Sequence, residues 1–286
     1  MRKFFTVLFF ISLTSFAQVT VTDDLGRELV FEKIPQRVVV IAPHAMELVH
    51  AAGASDKIVG KGRYCDYPSE LDGVPIVGDS LQVNMEILLT LNPDLLILWR
   101  YGVLSRQSDK VKQLGIPVFF SAPEKLRDIP DNIEKLGKIF NTEEKAEKSA
   151  REFRTRLSEL KSRYANSETR TVFYQISERP RYTVNGEHMI SEVIEICGGK
   201  NIFQNLPLIA PQVSLEAVLQ ADPDVIIHSG GEQRNINSIK EWQSFSMLKA
   251  VKKKNLYTIK SDLIDRPSPR IIEGAKTICE IIERSR

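Results

Sequence analysis

Two stretches of this chain repeat one another: residues 84–97 (NMEILLTLNPDLLI) align without a gap on residues 214–227 (SLEAVLQADPDVII). Each copy reads as an amphipathic helix, a Pro-Asp turn and a buried strand. Glu86 and Glu216 hold the same position in the two copies. A duplicated unit predicts two similar lobes facing one another across a cleft, where small ligands bind. Helix, Pro-Asp and strand is also a common pattern for any α/β unit, so the inference needs support from the flanking sequence.

That support is an alternation of strand-like and helix-like segments, which argues for parallel sheets covered by helices. In the first half, residues 38–41, 58–60, 95–99 and 118–120 read as buried strands. Residues 46–53 read as a short helix after the strand-ending Pro43-His44-Ala45, and residues 19–31 as a hairpin around Asp24-Leu25-Gly26-Arg27. Residues 142–165 break the alternation. They hold neither Gly nor Pro, with Thr142 as the expected N-cap and Glu143 and Glu144 against the positive helix end. Ala146, Ala150, Phe153, Leu157 and Leu160 form one apolar stripe. At about 1.5 Å per residue such a helix spans roughly 36 Å. A helix at 129–140 leads into it; strands at 171–175, 225–228 and 256–259 and helices at 189–197 and 268–283 follow. The predicted architecture is α/β. An N-terminal lobe at 18–125 and a C-terminal lobe at 167–286 flank a helical segment at 126–166 that contains the long helix.

Met1-Arg2-Lys3 is a basic head, residues 4–13 an apolar run and Ser15-Phe16-Ala17 a small-residue cleavage pattern. A signal peptide cut after Ala17 is expected, with a buried N-terminal helix as the alternative. The apolar run falls short of the roughly 20 residues a spanning helix needs. No cysteine follows the cleavage point to carry a lipid anchor, so the mature chain is expected to be exported and soluble. Formal net charge over 286 residues is +2, and without the first seventeen the chain keeps 37 basic and 37 acidic side chains. Such a balance gives no electrostatic reason to expect nucleic acid or an anionic membrane as partner. Export makes the three cysteines informative, because an oxidising compartment favours one pair and one leftover thiol. Cys197 and Cys279 lie on apolar segments of the C-terminal half and are the expected pair, with Cys65 left over; two reduced, buried thiols are the alternative.

The chain offers few motifs of reactive chemistry. His44, His50, His188 and His228 show no metal-cage spacing, and no Cys-x-x-Cys, Gly-x-Ser-x-Gly or Walker loop occurs. Cys65 stands where a dinucleotide fingerprint begun by Gly60 and Gly62 needs its third glycine. No catalytic residue, metal ligand or resident cofactor is expected. What stands out is a set of loops after strands: Pro43-His44-Ala45, residues 63–68 (RYCDYP), Trp99-Arg100-Tyr101, Pro180-Arg181-Tyr182, and residues 262–270 with Leu263 and Asp265 among them. The carboxyl ends of strands form the binding crevice of an open α/β sheet. Aromatics there offer flat apolar area, and Arg and Asp orient amides or carboxylates.

At these residues the whole mature chain resembles the solute-binding proteins of bacterial ABC importers for iron-siderophores, haem and cobalamin. Asp24-Leu25-Gly26-Arg27 and Pro35-Gln36-Arg37-Val38-Val39 resemble the opening of that superfamily. Its cobalamin-type members are matched by Tyr64-Cys65-Asp66-Tyr67-Pro68, Pro93-Asp94-Leu95 with Trp99-Arg100, residues 197–203 (CGGKNIF), Pro211-Gln212-Val213-Ser214, and Ser261-Asp262 with Arg266 and Ser268-Pro269-Arg270.

The resemblance implies two Rossmann-like lobes joined by one rigid helix, a periplasmic location and no enzymatic activity. The implied ligand is cobalamin or a related corrinoid, held between the lobes and delivered by a monomer to an ABC permease dimer. Haem or a ferric siderophore is the alternative cargo, and a metallocofactor enzyme or chelatase on a similar fold a more distant one. Tyr64, Trp99, Tyr182, Asp262 and Arg266 fall on positions that line the corrinoid site, Cys197 and Cys279 on the disulfide, and Glu86 and Glu216 on the two acids that dock onto permease arginines. His44, Leu263 and Asp265 complete the candidate ligand-binding set. Ser80, Ile176 and Ala210 stand where cobalamin-type members carry further aromatics, and His44 replaces a small residue at the floor. An imidazole there offers a ligand to iron or cobalt, and Cys65 a further soft one.

Overall fold

The computed structural model describes residues 18–79, 81–101, 113, 115–230 and 232–286. The expected signal peptide at 1–17 and Ser80 lie outside the described residues. The chain opens on an antiparallel hairpin, β1 (Val19–Thr22) against β2 (Glu28–Phe31). Buried Asp23 shapes the turn: its Oδ1 accepts from the backbone of Leu25 and Arg27 at 2.9 Å, while the Arg27 guanidinium returns to its Oδ2 and lies 4.1 Å from the Phe120 ring centroid. Gly26 sits at φ +74°, a conformation that disfavours side chains. Asp24 accepts from Ala122 N at 2.7 Å and Lys135 Nζ at 2.8 Å. These bonds fasten the hairpin beside a segment that becomes cleft wall.

Two parallel sheets follow. The first joins β3 (Val38–Val40), β4 (Ile58–Gly62), β5 (Ile76–Gly78), β6 (Leu95–Leu98) and β7 (Val118–Phe120) in the order β5-β4-β3-β6-β7. The second joins β8 (Arg170–Gln175), β11 (Gly199–Asn201), β12 (Val225–Gly230) and β13 (Leu256–Lys260) in the order β11-β8-β12-β13. Between β8 and β11 in sequence lies a small hairpin, β9 (Ser177–Glu178) with β10 (Arg181–Tyr182). Strands covered on both faces need unbroken apolar runs, and Val38, Val39, Val40, Leu95, Leu96 and Ile97 are all fully buried.

The covering helices are α1 (Pro43–Ala51), α2 (Met85–Thr90), α3 (Asp128–Phe140), α4 (Glu143–Tyr164), α5 (Met189–Ile196), α6 (Leu215–Ala221), α7 (Glu232–Gln243), α8 (Lys249–Lys252), α9 (Ser261–Ile264) and α10 (Ile271–Arg284). The 22-residue α4 packs against α1 and α3 below the first sheet and against α5 and α10 below the second. Ala146, Ala150 and Phe153 are buried, Leu157 and Leu160 partly so. Thr142 precedes the helix without capping it. Its φ of −126° and ψ of 31° lie outside the extended region that a capping side chain needs, and its hydroxyl has no partner among the described residues. A disulfide joins Cys197, at the end of α5, to Cys279 in α10, 82 positions away. No helix among the described residues is long and apolar enough to cross a membrane.

The duplicated unit is present twice in three dimensions. Asn84 and Ser214 cap α2 and α6, accepting from Ile87 N at 3.0 Å and Ala217 N at 3.1 Å. Asn92 and Asp222 follow in the left-handed conformation, at φ 45° and 43°. Asp94 holds the backbone entering β3, accepting from Gln36 N and Arg37 N, and Asp224 holds the start of β8, accepting from Thr171 N. β6 then lies beside β3 as β12 lies beside β8.

Candidate functional site

A cavity of about 410 Å³ opens between the two sheets, at the carboxyl ends of their strands. Its first wall is made by Trp99, Arg100 and Tyr101 after β6 and by Ala122, Pro123 and Glu124 after β7. The opposite wall is His188 and Met189 at the start of α5, Ile209 and Ala210, and Ile264, Asp265 and Pro267 after α9. Trp99 and Tyr101 meet edge to face, 5.2 Å between centroids, and are 41% and 66% exposed, which leaves aromatic surface for a ligand. Arg100 lies over the Tyr101 ring and pairs with Glu124, so the one cation among the described lining residues is neutralised within it.

The expected loop at His44 is instead the first turn of α1, which starts at Pro43. Proline suits that turn because the first amide needs no helical partner and the ring already fixes φ. His44 is buried behind Trp99, 6.0 Å between centroids, and its Nε2 lies 3.1 Å from the carbonyl of Ser121. That carbonyl is only an acceptor, so Nε2 carries the proton. Burial pushes the imidazole down to about 4, outweighing the upward pull of that bond and of Glu47. Asp265 accepts from Tyr174 Oη at 2.8 Å and from Ser229 Oγ at 3.0 Å. Desolvation at this contact pushes its carboxyl up to about 6, against those two bonds, although the residue stays open to solvent on its other side.

A buried ion cluster ties the two walls together at one end. Glu47 of α1, 2% exposed, accepts from Ser268 Oγ at 2.6 Å, Arg270 Nη2 at 2.7 Å and Nε at 2.9 Å, and Arg266 Nη1 at 3.1 Å. Arg266 also grips both oxygens of Asp66, at 2.6 and 3.1 Å, and reaches the carbonyl of Tyr64. Hydrogen bonding from Arg266 holds the Asp66 carboxyl below the usual carboxylate range. Arg270 lies 4.3 Å from the centroid of Tyr67.

Of the sequence-predicted ligand set, the structure brings Trp99 and Asp265 into the cavity with His44 behind them. Tyr182 lies on a segment paired with residues 209–212, next to the wall formed by Ile209 and Ala210. Tyr64 is 64% exposed and joined through its carbonyl to Arg266, whose guanidinium faces Glu47 and Asp66. Asp262 and Leu263 sit in the one-turn helix α9, where a loop was expected; neither lines the cavity, and Asp262 is 3.6 Å from Arg270. Gly274 lets α10 approach α9 closely, since a Cβ there would fall 2.5 Å from the carbonyl oxygen of Leu263. Glu86 and Glu216 are exposed in the first turns of α2 and α6. Cys65 is buried, and desolvation pushes its thiol up to about 12.

The sequence did not point to His188 or Glu124. His188 caps α5, its Nδ1 accepting from Ile190 N at 3.1 Å; a polar residue ahead of an apolar helix was the available signal. A larger groove, about 830 Å³, lies away from both walls where α1 ends and α3 meets α4. It is broadly open and its charges compensate one another, as in Lys57 with Asp56 and His50 beside Glu70, so it offers no comparable apolar face. No group of three His, Cys, Asp or Glu side chains among the described residues could hold a metal ion.

Known proteins match this architecture. The vitamin B12-binding protein of Vibrio parahaemolyticus serotype O3:K6 is 36% identical over 248 residues, which cover 87% of this chain and 90% of the relative. That of Vibrio cholerae serotype O1 (strain ATCC 39541) is 37% identical, covering 87% and 89%. The crystal structure of the periplasmic vitamin B12 binding protein of Vibrio cholerae superposes with a TM-score of 0.79 at 36% identity, over 88% of this chain and 98% of that one. The periplasmic heme-binding protein RhuT of Roseiflexus sp. RS-1 shares the fold, with a TM-score of 0.78 at 16% identity over 87% and 98%. A model of the periplasmic binding protein family matches residues 38–263. Since that span runs from β3 into α9, and so takes in both sheets and the cleft between them, this chain belongs to the periplasmic binding protein family.

Proposed function

We propose that this protein is the solute-binding component of an ABC importer, exported by a signal peptide cut after Ala17. It captures cobalamin or a related corrinoid between lobes 18–125 and 167–286, linked by 126–166, and delivers it to an inner-membrane permease without making or breaking a bond. The observation that carries the reading is the charge balance of the cleft around an aromatic wall. A corrinoid is a flat macrocycle fringed by neutral amides, whereas haem presents carboxylates that need free cations. Arg100 is already paired with Glu124, and Arg266 with Glu47 and Asp66. Trp99 and Tyr101 remain open to stack on a ring, and Asp265 to accept from an amide. The relatives named vitamin B12-binding proteins support the same cargo.

Tyr64, Tyr182, Asp262, Leu263 and Arg266 then surround the ligand's rim, with His44 beneath the floor. Glu86 and Glu216, exposed at equivalent positions of the repeat, present one acid per lobe to the permease. Spectroscopic titration with cyanocobalamin tests the cargo. Saturable binding is expected, displaced by cobinamide and not by haemin, and weakened about tenfold or more in Trp99→Ala. Absence of binding to any corrinoid, or a Soret shift with haemin lost in His44→Ala, overturns the reading. The paired change Glu86→Lys and Glu216→Lys is expected to leave corrinoid affinity unchanged and to lower uptake by permease reconstituted in proteoliposomes.

A further inference from the structure

The C-terminal wall of the cavity is almost wholly apolar. Among its described residues only Asp265 and His188 carry polar side chains, and Asp265 already accepts from Tyr174 and Ser229. His188 is different. Its Nδ1 accepts from the amide of Ile190, and an amide only donates, so Nδ1 holds a lone pair and the ring proton resides on Nε2. That Nε2–H has no hydrogen-bond partner among the described residues and belongs to a half-buried side chain of the cavity wall. The same tautomer excludes His188 as a metal ligand, because coordination through Nε2 would force the proton onto Nδ1 and break the helix cap.

We infer that His188 is a specificity-determining residue that donates its Nε2–H to a ring-amide carbonyl of the bound corrinoid. The inference rests on the corrinoid reading above and adds to it the recognition of an uncharged acceptor from the C-terminal wall. The imidazole is neutral at working pH, since burial and then the nearby Lys125 push it down to about 4. The charged groups around it are Lys125, held by Glu187, with Glu124 and Asp265 on the cavity and Glu192 in the first turn of α5. A neutral donor reads a carbonyl without drawing in anionic ligands.

The test measures affinity of the full mature protein for cyanocobalamin and for dicyanocobinamide, which keeps the ring amides but lacks the nucleotide and its phosphate. His188→Asn keeps an N-capping oxygen and removes the distal donor, and is expected to weaken both ligands equally, by about tenfold. His188→Gln restores a donor at similar reach and is expected to stay within about threefold of wild type. The ratio of wild-type to His188→Asn affinity is expected to stay flat from about pH 8 down to about pH 5.5. Three results overturn the inference while wild type still binds: His188→Asn matching wild type, a loss confined to cyanocobalamin, or a ratio that climbs as pH falls through the usual histidine range. If wild type binds neither corrinoid, the corrinoid reading itself fails and takes this one with it.

Discussion

Replacing Glu47 by alanine removes the shared acceptor of four hydrogen bonds from Arg266, Ser268 and Arg270. The carboxylate is 2% exposed, and the two arginine side chains are only 17% and 16% exposed, so water cannot easily take its place. Breaking a buried ion pair from one side costs about 3–5 kcal/mol, because the partner charge stays desolvated. Two features place this case at the lower end. Arg266 keeps its two bonds to Asp66, and Arg270 keeps Asp262 at 3.6 Å. The expected loss is therefore about 3 kcal/mol, which for a chain of this size lowers the melting midpoint by roughly 6–12 °C. Glu47 sits on α1 and its partners follow α9, so the change also loosens one half of the molecule from the other. Urea unfolding followed by near-UV circular dichroism should show the shift, with a lower slope or a second transition where the halves uncouple. Glu47→Gln keeps the shape and is expected to cost less. A Glu47→Ala unfolding free energy within about 1 kcal/mol of wild type, or a double-mutant cycle with Arg270→Ala giving no coupling, refutes the reasoning.

Acid stability tests the neutral state of His44. Its imidazole, pushed down to about 4, binds a proton in the unfolded chain before it does in the folded one. Stability is full above the usual histidine value near about pH 6.5 and is lost as pH falls toward about pH 4, by on the order of 3 kcal/mol. His44→Gln should flatten the fall in unfolding free energy over that window, and an unchanged slope contradicts the assignment. Removing the Cys197–Cys279 bond by the double change to alanine releases a loop of 82-residue separation. The chain-entropy model gives roughly 4–5 kcal/mol for such a loop, so the urea midpoint should drop markedly without change of fold by far-UV circular dichroism.

The lobes were legible because their causes are local. Apolar runs such as residues 95–98 have no alternative to burial, and the caps at Asn84 and Ser214 with the left-handed stops at Asn92 and Asp222 recur at the same spacing. What escaped the sequence is what depends on distant partners. Glu47 sits in the apolar run of α1 with nothing nearby to neutralise it; its partners lie 219–223 positions on. Arg266 was expected in the ligand-binding set, whereas its pairing with Glu47 and Asp66 needed the two halves brought together. His188 belongs to the wall only because the start of α5 faces the loop after β6. Helix α9 is one turn long, below the length at which periodicity can be recognised.

The burial of Cys65 protects the other two cysteines. Thiol–disulfide exchange needs a thiolate able to reach the bond. Cys65 is the free thiol of the described chain, enclosed with its Sγ 3.8 Å from the carbonyl of Val40 and pushed up to about 12, so in the folded protein its thiolate is scarce and shielded. The Cys197–Cys279 crosslink, itself wholly buried, therefore faces no internal attacker once the first sheet has closed over Cys65, and scrambling is confined to the interval before that closure.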